Sequence, residues 1–406
     1  MKIFIGTAEI AGMVHFLASA LKACGHQVTT CVDNAGTGFF NYEYDRIIKP
    51  KVLLAPSTNK VVRKAKSILE NFDMRSRRRK LFDEEKTQHD LFIFIWNGLL
   101  IDSLRDYQEL KQRGKKIASI FLGSDVRHVS AFAQQYRLDV STWEQWFHST
   151  DLNDQLFRLR KAELYSDSVF SLPDQAGLAI RPYHKIYIPF NISAFRFNVP
   201  GRPVPRIVHI PSRTGIKGTA FIVQAMEELK SGGIDFDFEI VTGVSNTKVH
   251  QLLYDADILV DELYLHGPGT LSLEGIASGC AVATKTMPGE AYDTLLCNVD
   301  FDNFKAKIRQ LIVDVEYRIQ LAQKSLEGIR LLNDPVRIAT DIVSKTFQTV
   351  EAGFYDYSPK FFSDSYILPS GTNINNTNLS LTRRVVGKFR LNSELNLKRM
   401  KSEHLI

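Results

Sequence analysis

The chain is expected to be an α/β protein built from two doubly wound, parallel-sheet domains. Three observations predict this. Short apolar runs alternate with helix-spaced segments through residues 1–350. The alternation occurs twice, either side of a proline-rich break at 189–205. The 406 residues, 44% hydrophobic and 24% charged, supply apolar side chains for two cores.

In the first half, KIFIGTA (2–8) reads as a strand, and GMVHFLASALKAC (12–24) places Val14, Leu17, Ala18 and Leu21 on one helical face. Gly25-His26 ends that helix and QVTTCVD opens a second strand. LFIFIW (91–96) reads as a strand buried on both faces, SLRDYQELKQRG (103–114) as a helix closed by glycine, and KKIASIFLG (115–123) as the next strand. The second half repeats the theme. RIVHIPS (206–212), FDFEIVTG (236–243), DILVDELYL (257–265) and CAVATKT (280–286) read as strands. TAFIVQAMEELKSGG (219–233), NTKVHQLLYDA (246–256) and GTLSLEGIASG (269–279) read as helices. The expected domains are 1–190 and 206–350, with 191–205 as linker and 351–406 as a polar, basic extension. Two such sheets facing each other leave a cleft beyond the strands' carboxyl ends, where ligands of open parallel sheets sit.

No apolar run approaches the roughly 20 residues of a membrane span. Thr7, Glu9 and His15 interrupt any signal-peptide core, so the cytoplasm is the expected compartment. Cys24, Cys31, Cys280 and Cys297 form no CxxC pair and no zinc spacing, and read as buried thiols. The net charge is +6, but residues 371–406 hold seven basic residues and two acids, so the body is nearly neutral.

Two stretches carry chemistry. In SRTGIKGTAFI (212–222), Arg213 and Lys217 follow a strand and precede a helix N-terminus, an arrangement suited to a diphosphate. Gly215 and Gly218 let backbone approach a ligand closely. Charge and spacing alone equally describe two solvated loop cations. In HGPGTLSLEGIASG (266–279), Glu274 falls about one turn into a helix, where a carboxylate can accept from the vicinal hydroxyls of a ribose. It is equally a plain first-turn acid. Gly267-Pro268-Gly269 is either a nest for sugar hydroxyls or phosphate, or a tight connection. His209, in a core strand, reads as structural.

Together, RIVHIPSRTGIKGTAFIVQAMEEL and ADILVDELYLHGPGTLSLEGIASGCAVA resemble the donor-binding domain of GT-B-fold retaining glycosyltransferases of family 4. HDLFIFIWNGLLIDSLRDYQELKQRGKKIASIFLGSDVRH is similar to the N-terminal strand–helix–strand of that family. The resemblance covers roughly residues 1–350. It implies transfer of a sugar from a UDP- or GDP-linked donor to a glycan or lipid-linked acceptor, with retention, and without metal or other cofactor. It places Arg213 and Lys217 on the donor diphosphate and Glu274 on the ribose, with Gly267, Gly269 and Thr270 completing the donor site. Two positions depart from the family. His266 stands where the first acid of the Glu-x7-Glu element is usual, and Leu122 replaces a loop histidine. With Arg213 and Lys217, His266 is the candidate catalytic residue. Gly12, Asp125 and Arg127 are assigned to the acceptor side. The departures leave open a binding or scaffold protein that has lost turnover, and a GT-B-fold epimerase is a third reading.

NKVVRKAKSILENFDMRSRRRK (59–80) carries nine basic residues and two acids, with Val61, Val62, Ala65, Ile68, Leu69 and Phe72 in a helical stripe. It is either a basic amphipathic helix for the inner face of an anionic membrane or a domain helix with a solvated basic face. The basic extension could serve the same surface role. No nucleic-acid module is recognisable, and no nucleic-acid partner is expected.

Overall fold

A computed structural model of the chain describes residues 1–33, 42–49, 58–123, 125–127, 152–173, 178–179 and 181–348. The 351–406 extension lies outside the described residues. Of the described residues, those up to 127, 152–189 and 335–348 form one compact unit, and 190–334 form the other.

The first unit is a parallel sheet of seven strands: β1 (Lys2–Thr7), β2 (Gln27–Asp33), β3 (Arg46–Ile48), β4 (Leu91–Ile95), β5 (Lys116–Phe121), β6 (Ser168–Ser171) and β7 (His184–Lys185). Their order is β3-β2-β1-β4-β5-β6-β7. Its helices are α1 (Met13–Ala23), α2 (Lys60–Glu85), α3 (Arg105–Gln112), α4 (Leu152–Tyr165) and, after the second unit, a returning helix Pro335–Phe347. Side chains of a strand alternate between faces, so an unbroken apolar run must feed two cores. Phe4, Phe92 and Phe94 point into a core with Phe82 of α2, Leu110 of α3 and Phe157 of α4. Ile3, Ile5, Leu91, Ile93 and Ile95 point into the other, with Val14 and Leu17 of α1 and Ile338 and Ile342 of the returning helix.

The second unit is a parallel sheet of five strands: β8 (Arg206–His209), β9 (Asp237–Ile240), β10 (Ile258–Val260), β11 (Ala281–Thr284) and β12 (Cys297–Asn298). Their order is β12-β11-β10-β8-β9. Its helices are α5 (Thr214–Lys217), α6 (Thr219–Ser231), α7 (Asn246–Tyr254), α8 (Thr270–Ser278), α9 (Phe304–Val313) and α10 (Val315–Leu332), which makes Pro335–Phe347 α11. Ile207, Ile258, Val260, Ala281 and Ala283 pack with Ile222 and Met226 of α6 and Phe304 and Ile308 of α9.

Two expected boundaries are corrected. The second unit ends at Asp334, not 350, because α11 buries Ile338, Ala339 and Ile342 in the first unit and Thr346 Oγ1 meets Ser168 Oγ at 2.6 Å. Residues 191–205 are not a free linker but part of the second unit. Asn198 N–H donates to Ser278 O at 2.9 Å, its side-chain amide donates to Tyr254 O at 3.0 Å, and Arg202 pairs with Asp257 at 2.8 Å. Of the four thiols, Cys31, Cys280 and Cys297 are buried, but Cys24 is exposed. Among the described residues no helix is long and apolar enough to cross a membrane.

Candidate functional site

In the second sheet, β8 lies between β9 and β10. The chain therefore leaves β8 towards one side and returns on the other, which is the switch point where open sheets hold ligands. The segments there are 210–218, after β8, and 261–269, after β10. They contain most of the residues that the sequence marks for donor binding.

Arg213 is exposed and precedes the single turn of α5; Lys217 ends that turn. Gly218 follows at φ +76°, the left-handed conformation that suits glycine, and caps α6. That abrupt reversal turns Lys217 back towards the end of β10. Its Nζ lies 2.5 Å from Asp261 Oδ1 and 3.2 Å from Glu262 Oε2. Ser272 of α8 donates to the other oxygen, Asp261 Oδ2, at 2.5 Å. Burial opposes the charge on Lys217, but the two carboxylates outweigh it and hold the ammonium above the usual lysine range. Burial likewise opposes the charge on Asp261, but Lys217 and the Ser272 hydroxyl hold its carboxyl below the ordinary range. The cation expected on a diphosphate is thus engaged by an acid pair. That pair is legible in DILVDEL as two acids directly after an apolar strand, but its partner is not.

His209 is fully buried beneath this corner. One ring nitrogen meets Val260 O and the other Thr219 Oγ1, each at 2.8 Å, so it ties β8 to β10 and α6. Burial holds it below the usual histidine range, in keeping with the structural role expected of it.

The turn before α8 is tight. Gly267 N–H donates to Lys285 O at 2.8 Å, and a Cβ there would meet Thr284 Oγ1 at 3.0 Å. Gly269 sits at the N-cap in extended conformation, with no side-chain cap and open space where its Cβ would be. Thr270 opens the helix, and His266 is half-buried at the start of the turn. Glu274 is only 6% exposed. At about 100° per residue, Ser272 and Glu274 look to nearly opposite sides of α8. Ser272 meets Asp261, whereas Glu274 Oε1 lies 3.6 Å from His250 Nε2 of α7, whose ring packs edge-on against Phe195. Lys217 is therefore tied to α8 through Asp261 and Ser272, while Glu274 turns towards α7.

In the first unit, Gly12 precedes α1 at φ +77°, and a Cβ would strike the Phe16 ring at 2.4 Å. Glu9 caps that helix, accepting from Val14 N–H at 3.3 Å, His15 N–H at 3.1 Å and Tyr44 Oη–H at 2.7 Å. Sequence reasoning misses this acid as a cap, although it stands just ahead of the helix. Asp125 is buried and accepts from Leu122 N–H at 3.0 Å and Gly123 N–H at 2.7 Å. Its carboxylate shapes its own loop. Burial outweighs those bonds and pushes the carboxyl up to about 6. Arg127 is half-buried; its N–H donates to Gly123 O at 2.8 Å and its carbonyl accepts from Gln155 at 3.1 Å.

No protein-family model matches the chain, and no curated protein matches its sequence. Solved structures do match. Sucrose-phosphate synthase from Thermosynechococcus elongatus superposes with a TM-score of 0.56 at 13% identity, over 86% of this chain and 98% of that one. An alpha-glucosyltransferase in complex with UDP and a 13-mer DNA containing a HMU base gives 0.52 at 13%, over 85% and 100%. The trehalose-6-phosphate synthase OtsA gives 0.52 at 12%, over 86% and 99%. At these identities the likeness is one of fold. The fold is GT-B, that of glycosyltransferases, as the resemblance implies.

Proposed function

We propose that the chain is a cytoplasmic, metal-independent glycosyltransferase that moves a sugar from a UDP- or GDP-linked donor to a glycan or lipid-linked acceptor with retention. The observation that carries this reading is the meeting of 210–218 and 261–274 at the switch point of a five-stranded GT-B sheet. The exposed Arg213 and the open N-terminus of α8 at Gly269-Thr270 take the diphosphate. Glu274 takes the ribose hydroxyls. Donor binding exchanges the longer contact of Lys217, to Glu262, for a phosphate oxygen. His266 donates to a sugar hydroxyl where an acid is usual. The departing phosphate deprotonates the acceptor, so no dedicated protein base is required, and Arg213 and Lys217 offset the charge that develops on it. Gly12, Asp125 and Arg127 serve the acceptor through the loops they shape. The UDP bound by the alpha-glucosyltransferase neighbour favours uridine as the first donor to test.

Calorimetric titration with UDP and GDP, alone and sugar-linked, tests the site. Glu274→Ala and Arg213→Ala are each expected to weaken binding by about tenfold or more. Unchanged affinity in both would sink the assignment. A second reading, a nucleotide-sugar-binding protein without turnover, is favoured by the acid pair on Lys217 together with His266 and Leu122. Assaying donor consumption across a panel of nucleotide-sugars and acceptors separates the two, since tight binding with no consumption leaves only the second.

A further inference from the structure

The first half of α2 carries its apolar stripe on the wrong side for the core. Val61, Val62, Ala65, Ile68, Leu69 and Phe72 fall within an arc of about 120°. The face that packs on the first unit is set by Arg78, Phe82 and Glu85, all buried, and is centred roughly 130° away. The stripe is accordingly exposed, with Val61 at 76%, Ile68 and Leu69 at 60% and Phe72 at 74%. Large apolar side chains gathered on one solvent-facing stripe mark an interaction surface.

The surrounding charge selects the partner. Arg75 and Arg79 continue the line of the stripe beyond Phe72, and Lys64 flanks it. Arg75 is paired with Asp102 at 2.6 Å, but Arg63, Lys64 and Arg79 have no ion pair among the described residues. A second copy of α2 would bring Lys64, Arg75 and Arg79, which border the stripe, against the same three cations. The basic 371–406 stretch has the same sign. The helix is too charged to span a bilayer. We infer that α2 lies flat on an anionic phospholipid surface, with Val61, Ile68, Leu69 and Phe72 among the acyl chains and Lys64, Arg75 and Arg79 at the headgroups. Such a helix would hold the protein where a lipid-linked acceptor is found, but the inference needs only α2 and is read separately from donor binding.

Co-sedimentation of the full chain with vesicles of phosphatidylglycerol and phosphatidylcholine, against vesicles of phosphatidylcholine alone, tests it. Binding to the anionic vesicles should be at least about tenfold stronger and should weaken with salt. Replacing Ile68, Leu69 and Phe72 with serine should abolish it with the thermal midpoint and UDP affinity unchanged, because the three side chains are exposed and belong to no core cluster among the described residues. In a Phe72→Trp variant, the emission of the new indole should shift to the blue on adding anionic vesicles. Equal partition to both vesicles, or full binding by the triple serine variant, would overturn the proposal. So would the same spectral change in the parent chain, which has no indole at that position, or sedimentation velocity showing that the stripe instead joins two copies of the chain.

Discussion

Lys217 Nζ and Asp261 Oδ1 lie 2.5 Å apart at the carboxyl end of the second sheet, with Asp261 1% exposed and Glu262 beside them. Removing the ammonium would leave the buried Asp261 carboxylate without its cation, which costs far more than the pair itself contributes. Lys217→Met is therefore expected to lower stability by about 3 kcal/mol at pH 7. Asp261 is held below its ordinary 3.8 in the folded chain, so its contribution is complete above that value and is lost as pH falls through the lower folded value. In the variant the same carboxyl gains by protonation, so the gap to the parent should narrow on acidification. Urea titrations at several pH values would show this; a gap that widens towards acid contradicts the pairing.

Glu274 and His250 give a second, separable prediction. The carboxylate that is proposed to hold the ribose rests 3.6 Å from an imidazole that itself leans on Phe195. His250→Ala should leave the carboxylate in place but less well oriented, weakening nucleotide binding about threefold, against about tenfold or more for Glu274→Ala. The double variant should then lose no more than Glu274→Ala alone. Additive losses would mean that His250 contacts the nucleotide itself or acts elsewhere.

What the sequence made legible follows from periodicity. LFIFI shows a strand buried on both faces because nothing in it alternates, and GTLSLEGIASG shows its helix and its C-terminal glycine. The four residues of α5 are too few to show a period, so the turn that aims Lys217 is invisible. The apolar face of α11 announces burial, but Ile338, Ala339 and Ile342 do not say which sheet they join. The same is true of α2: the spacing of Val61 to Phe72 reveals a stripe, and only the position of Arg78, Phe82 and Glu85 against the sheet shows that the stripe faces outward. Asp261 and Glu262 are plain in the sequence as acids after a strand; that they close on Lys217 depends on the β8–β10 pairing, which is a long-range fact.

Gly279 tests the packing of the 191–205 segment. It caps α8 at φ +104°, and a Cβ there would stand 1.8 Å from Asn198 O. Backbone cannot yield as a flexible side chain does, so Gly279→Ala must either displace the segment or strain the cap. A loss on the order of 3 kcal/mol is expected, read from the denaturation midpoint. Gly289→Ala, also at positive φ but with open space around its Cβ, is the control and should lose only about 1 kcal/mol. Equal losses would show that conformation, and not the contact with Asn198, sets the cost.

Asp125 makes the loop after β5 sensitive to pH. Its carboxyl is pushed up to about 6 by burial, against an ordinary 3.8, although Leu122 and Gly123 donate their N–H groups to it. A group whose folded value is raised stabilises the fold fully below its unfolded value, and that contribution is lost as pH rises through the folded one. Between pH 4 and pH 7 the parent should therefore lose on the order of 3 kcal/mol from this residue alone. Asp125→Asn keeps an acceptor for the Gly123 N–H but cannot titrate. The stability difference between parent and variant should shift in the parent's favour on acidification, changing across the window between about pH 6 and 3.8 and flat above it. A difference that stays constant across the range would mean that Asp125 is ionised in the folded chain at little cost. The loop would then be solvated where Asp125 sits, not dry.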